Sequence, residues 1–63
     1  MKLVFFDRML STKLVLVAVN PEFIVWVQES GENSVTILVE SGRELEVNHS
    51  YVEVLKRLDS YAK

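Results

Sequence analysis

The chain has no cysteine, which excludes a disulfide and a thiolate metal site. Its one histidine, His49, cannot build a metal centre by itself. Only two glycines are present, in Ser30-Gly31 and Ser41-Gly42. Neither sits in a Gly-rich run that opens a helix, so there is no phosphate-cradling loop. The single proline, Pro21, cannot donate to a strand ladder and marks a strand boundary or short turn. The longest uninterrupted apolar run is six residues, Leu14 to Val19. A membrane-spanning helix needs about 20. The N-terminal apolar residues are broken by Asp7 and Arg8 before a signal-peptide core could form. Together these absences lead us to expect a cytoplasmic protein with no membrane span.

Basic charge is also scarce where a nucleic-acid binder would need it. The net charge is −2. Residues 22–50 carry Glu22, Glu29, Glu32, Glu40, Glu44 and Glu46 against Arg43 alone. A basic stripe that releases counterions is missing there. Nucleic acid is therefore an unfavoured partner.

Apolar residues, by contrast, are abundant. They make up 49% of 63 residues. A chain of this length forms one domain and struggles to bury enough surface. One sheet face and one helix stripe cannot hide so many apolar side chains. Self-association into a homo-oligomer is the simplest expectation, and a different protein is the other candidate partner.

The clearest pattern lies between Ser34 and Leu58. Val35, Ile37 and Val39 alternate with Thr36 and Leu38, and Leu45 and Val47 with Glu44 and Glu46. Period-two alternation marks strands with one buried face. A two-residue loop at Ser41-Gly42 would set Ile37 opposite Glu46 and place glutamates on the apolar face. A three-residue loop of Glu40-Ser41-Gly42 sets Val35 opposite Val47, Ile37 opposite Leu45 and Val39 opposite Arg43. The second register is expected, with Gly42 left-handed because it lacks a Cβ. Ser50 and Glu53 then have capping-box spacing, with Asn48 as a competing cap. Tyr51, Val54, Leu55, Leu58, Tyr61 and Ala62 form an apolar helical stripe. So short a helix must dock on the sheet.

Upstream, Lys2 to Phe6 reads as a first strand and Asp7 to Thr12 as a turn or wide loop. Lys13 to Val19 reads as a strand buried on both faces or curled into a barrel. Phe23 to Glu29 reads as a third strand. Its alternation puts Phe23, Val25 and Val27 on one face and Ile24, Trp26 and Gln28 on the other. Ser30 to Asn33 is a polar turn. The order is five strands and a helix with short connections, so pairing is mostly antiparallel. The expected fold class is α+β, mainly β. It is a small curled antiparallel sheet or open barrel of about five strands with one C-terminal helix. The first two strands could equally be one bent hairpin.

Four residues stand out as interface candidates: Ile24, Trp26, Leu38 and Phe5. Trp26 is the only tryptophan, and aromatic residues are enriched at contact cores. The plainer reading is a second-face core residue. Phe5 lies in Lys2-Leu3-Val4-Phe5-Phe6, a segment prone to edge pairing; the plainer reading is an ordinary buried strand. Glu44 and Glu46 are better read as a solvated face than as a metal or acid–base pair. His49 has only Ser50 beside it, and Ser50 is explained as a cap. No catalytic, cofactor-binding or metal site is expected, so the chain is expected not to be an enzyme.

The run Val19-Asn20-Pro21-Glu22-Phe23-Ile24 resembles the leucine-asparagine-x-x-hydrophobic-isoleucine step of the small bacterial flagellar FlbD family, also known through the swarming motility protein SwrD. Ser34 to Arg43 is similar to that family's T-V-I-T-L-x-N-G-K strand and turn. Ser50 to Leu58 resembles its closing E-S-x-E-E-V-I-x-K-I helix. The resemblance covers about residues 14–62. It implies an association with flagellar motility and no enzymatic activity. A second resemblance, in the order of a hairpin preceding a short helix, is to LytTR-type DNA-binding domains; the basic pair Lys56-Arg57 separately favours the same kind of partner. This resemblance implies a small nucleic-acid-binding or regulatory module as the alternative function, although those domains are longer and basic.

Overall fold

A computed structural model describes residues 3–62, with side chains through residue 60. Lys2, the expected start of the first strand, and the side chains of Tyr61 and Ala62, expected on the helix stripe, lie outside the described residues.

The N-terminal segment pairs with the apolar run that follows it. β1 (Val4–Leu10) and β2 (Lys13–Val19) form an antiparallel hairpin, in register from Val4↔Val19 to Leu10↔Lys13. The loop expected over residues 7–12 is thus corrected to a turn of Ser11 and Thr12 alone. The backbone of Asp7 is satisfied from the side away from β2, its N–H by His49 and its carbonyl by Asn48, whatever its side chain. Ser11 makes the turn possible by taking a left-handed φ of 58°.

Asn20 ends the hairpin and starts a short 3-10 turn over Pro21–Phe23. Its Oδ1 accepts the Glu22 N–H at 3.0 Å. Proline suits the first turn because its missing N–H would have no partner there. Phe23, expected in a strand, belongs to this turn, and its carbonyl accepts the Glu40 N–H at 2.8 Å.

A second antiparallel sheet follows, with β3 (Ile24–Gly31), β4 (Ser34–Val39) and β5 (Glu44–Val47) in that order. The β4–β5 register is the expected one, with Val35↔Val47 and Ile37↔Leu45. The Gly42 N–H donates to the Val39 carbonyl at 2.9 Å, and Gly42 has φ 90°. The β3–β4 register breaks between Ile24 and Trp26. One extra residue in a strand reverses the faces beyond it. Ile24 and Val27 therefore both pack against the core, and the expected sharing of a face by Ile24 and Trp26 is corrected.

The two sheets meet where β1 lies beside β5. Asn48 N–H donates to the Asp7 carbonyl at 2.7 Å, and Asp7 N–H donates to His49 Nε2 at 2.8 Å. Nη1 of Arg57 donates to the Phe5 carbonyl at 2.7 Å. These contacts occupy backbone groups that an unmatched strand edge would leave open.

The helix α1 (Tyr51–Ala62) closes the core. Ser50 is its cap, accepting the Glu53 N–H on Oγ at 3.2 Å. Asn48 does not cap, because the helix begins at Tyr51, directly after Ser50; the Asn48 N–H instead donates to the Asp7 carbonyl. The Glu53 carboxylate takes Nε of Arg57 at 3.0 Å. On the stripe, Val54 is buried and Tyr51 and Leu58 are half-buried against the core, but Leu55 is exposed. Phe6, Val35, Ile37, Val47 and Val54 form the fully buried centre, with Val4 and Val19 beside them. The architecture is α+β, mainly β: two open antiparallel sheets of two and three strands and a C-terminal helix. Among the described residues, no helix is long and apolar enough to cross a membrane.

Candidate functional site

Cross-strand neighbours in a hairpin share a face. In β1 and β2 the pairs Val4↔Val19 and Phe6↔Val17 face the core. The alternate pairs, Phe5↔Ala18, Asp7↔Leu16 and Met9↔Leu14, face outward. No described element covers them. Leu16 is 68% exposed, Leu14 52%, Phe5 51% and Met9 51%. The burial of β2 on both faces, expected from its unbroken apolar run, is therefore corrected. The second sheet and the helix pack on only one side of the hairpin. Asp7 is the one charged residue in these three outward pairs, and its Oδ2 lies 3.9 Å from His49 Nε2.

The four interface candidates do not form one patch. Trp26 pairs with Leu38 on the outer face of the three-stranded sheet. Trp26 is exposed and Leu38 half-buried. Beyond that corner the sheet turns polar, with Gln28↔Thr36 and Thr36↔Glu46. Glu46 accepts the Ser34 hydroxyl at 2.7 Å and the Ser30 hydroxyl at 3.3 Å. Phe5 belongs to the other sheet, with Ala18. Ile24 lies on the core side. Sequence reasoning missed Met9, Leu14 and Leu16. The signal was present as a parity: leucines and alanine occupy 14, 16 and 18, while valines occupy 15, 17 and 19.

The ionisable groups around Phe6 are engaged in structure. His49 packs its ring against Phe6 at 5.9 Å between centroids. Burial, and next the nearby Arg57 charge, hold its pKa below the ordinary 6.5, while Asp7 and Glu53 pull it upward. Arg57 lies 5.9 Å over the Phe6 ring and binds Glu53 and the Phe5 carbonyl, so it is not a free member of a basic pair with Lys56. Its hydrogen bond is the main cause that lowers the Glu53 pKa. Among the described residues, no three His, Asp or Glu side chains gather to hold a metal ion. No protein-family model, curated protein or solved structure matches the chain.

Proposed function

We propose that this chain is a non-enzymatic protein–protein interaction module that self-associates, and that it serves as a cytoplasmic accessory protein of flagellar or swarming motility. The observation that carries the interaction reading is the apolar outer face of the β1–β2 hairpin. Contiguous exposed apolar surface on a soluble domain marks contact sites. A stable dimer takes about 800 Å² from each partner, roughly a fifth of the 4468 Å² that this chain exposes. Two such faces, packed sheet on sheet, interdigitate their outward side chains. The motility reading rests on the FlbD-like runs at residues 19–24, 34–43 and 50–58. The Trp26–Leu38 corner is a second, smaller contact point for a different protein.

Sedimentation equilibrium at micromolar concentration tests the association. The wild-type chain is expected to be dimeric or larger, and Leu16→Glu monomeric with unchanged circular dichroism. A strictly monomeric wild-type chain would overturn the reading. Swarming by a strain lacking the protein tests the motility role, with loss expected.

A further inference from the structure

A cleft of about 400 Å³ opens where the end of β2 faces the β4–β5 loop. Its size is that of a small-molecule site. Val17, Val39 and Leu45 give it an apolar, half-buried floor, and Phe23 flanks them. Its charged lining is Arg8 and Arg43, and no carboxylate lines it. That is unusual placement in a chain with nine acidic and seven basic residues. Among the described residues, neither guanidinium has a hydrogen-bond or ion-pair partner. A guanidinium fork matches a carboxylate with two parallel N–H donors. The apolar floor selects an anion that carries a hydrocarbon body, because a small inorganic anion would leave that floor wet.

We infer that this cleft binds an apolar carboxylate, with Arg8 and Arg43 holding the head group and Val17, Val39 and Leu45 covering the tail. The inference does not depend on self-association. A medium-chain fatty acid and the C-terminal carboxylate of an apolar peptide present the same chemistry.

Titration of the full chain, followed by amide NMR shifts at Val39 and Leu45, tests it. The probes are octanoate, octanol, and a short leucine-terminated peptide as free acid and as amide. At least one acid should saturate with shifts at both residues and bind at least about tenfold tighter than its uncharged counterpart. Saturation by octanoate alone assigns a fatty acid, and by the peptide acid alone a peptide terminus. Arg8→Gln and Arg43→Gln should each weaken the acid about tenfold, and Arg43→Lys less. Arg43 is exposed and Arg8 half-buried, and neither belongs to the buried core, so both variants should keep the circular dichroism of the wild type. Equal affinity for charged and uncharged probes, no saturation by either acid, or no effect of the glutamine variants would each overturn the inference.

Discussion

Asp7 and His49, separated by 42 positions, are joined by a hydrogen bond from the Asp7 backbone N–H to Nε2 of His49 at 2.8 Å. Together with the Asn48 N–H on the Asp7 carbonyl, it ties the hairpin to the second sheet. An Nε2 that accepts must carry a lone pair, so the ring is neutral with its proton on Nδ1.

Acid should loosen this joint. Protonated His49 would face one N–H with another. Burial, followed by Arg57, already places its folded pKa below 6.5. The unfolded chain therefore binds the proton first as pH drops. The stability His49 contributes is whole above pH 6.5 and is lost as pH falls through the lower folded value. The Glu53 pKa lies below 4.5, so its loss of stability comes at lower pH. Urea midpoints should fall between about pH 7.5 and pH 5.5, given the ordinary range of histidine. His49→Gln, whose amide oxygen can accept the same N–H, should flatten that slope. A midpoint that rises on acidification would contradict the assigned acceptor.

Local patterns were readable wherever neighbours in sequence decided them. Gly42 and the alternation of Val35, Ile37, Leu45 and Val47 specified the last hairpin and its register, and Ser50 specified the helix start. What stayed hidden depended on distant partners or on one added residue. Asp7 to Thr12 reads as a turn or wide loop because it is polar and mixed, and no glycine or asparagine marks Ser11 as the tight turn. The bulge between Ile24 and Trp26 leaves no trace in composition, yet it sends the two residues to opposite faces. Leu14 and Leu16 looked buried because an apolar run does not say on which side the rest of the fold packs. The cleft between Arg8 and Arg43 joins residues brought together only by the tertiary arrangement.

Adjacent phenylalanines should behave oppositely. Phe6 is fully buried and carries the His49 and Arg57 contacts. Phe6→Ala should cost about 3–5 kcal/mol. That is comparable with the whole stability of a chain this size, about 3–9 kcal/mol, so the variant should be largely unfolded at 37 °C. Phe5 is half-exposed on the outer face, and Phe5→Ala should cost about 1 kcal/mol in the isolated chain. Its larger effect should appear as weaker association. Urea unfolding and sedimentation of both variants separate the two roles. Equal losses of stability would contradict the assignment of faces.

Ser50→Ala should cost about 1 kcal/mol, because it removes the oxygen that accepts the Glu53 N–H. Ser50→Asp should keep the cap and lose less. Asn48→Ala should change stability little, since only the Asn48 backbone has a role in the joint. Urea midpoints of the three variants measure this. A larger loss at Asn48 than at Ser50 would make Asn48 the true cap.

The turns offer a pair of opposite substitutions. Gly42 has φ 90°, and an added Cβ would meet nothing within 4 Å. Gly42→Ala therefore costs backbone strain alone, about 1–2 kcal/mol. Gly31 has no such φ, and its added Cβ would lie an ordinary 3.4 Å from Ser34 Cβ, so Gly31→Ala should be close to neutral. Ser11 is the reverse case: an L-residue held at φ 58°. Ser11→Gly relieves that strain, and the extra freedom of glycine in the unfolded chain offsets part of the relief. The net gain should be about 0.5–1 kcal/mol. Thermal or urea unfolding should therefore rank Ser11→Gly above wild type, Gly31→Ala beside it and Gly42→Ala below it. If Ser11→Gly destabilises, the β1–β2 turn does not hold Ser11 left-handed, and the hairpin register through Leu10↔Lys13 would need to be redrawn.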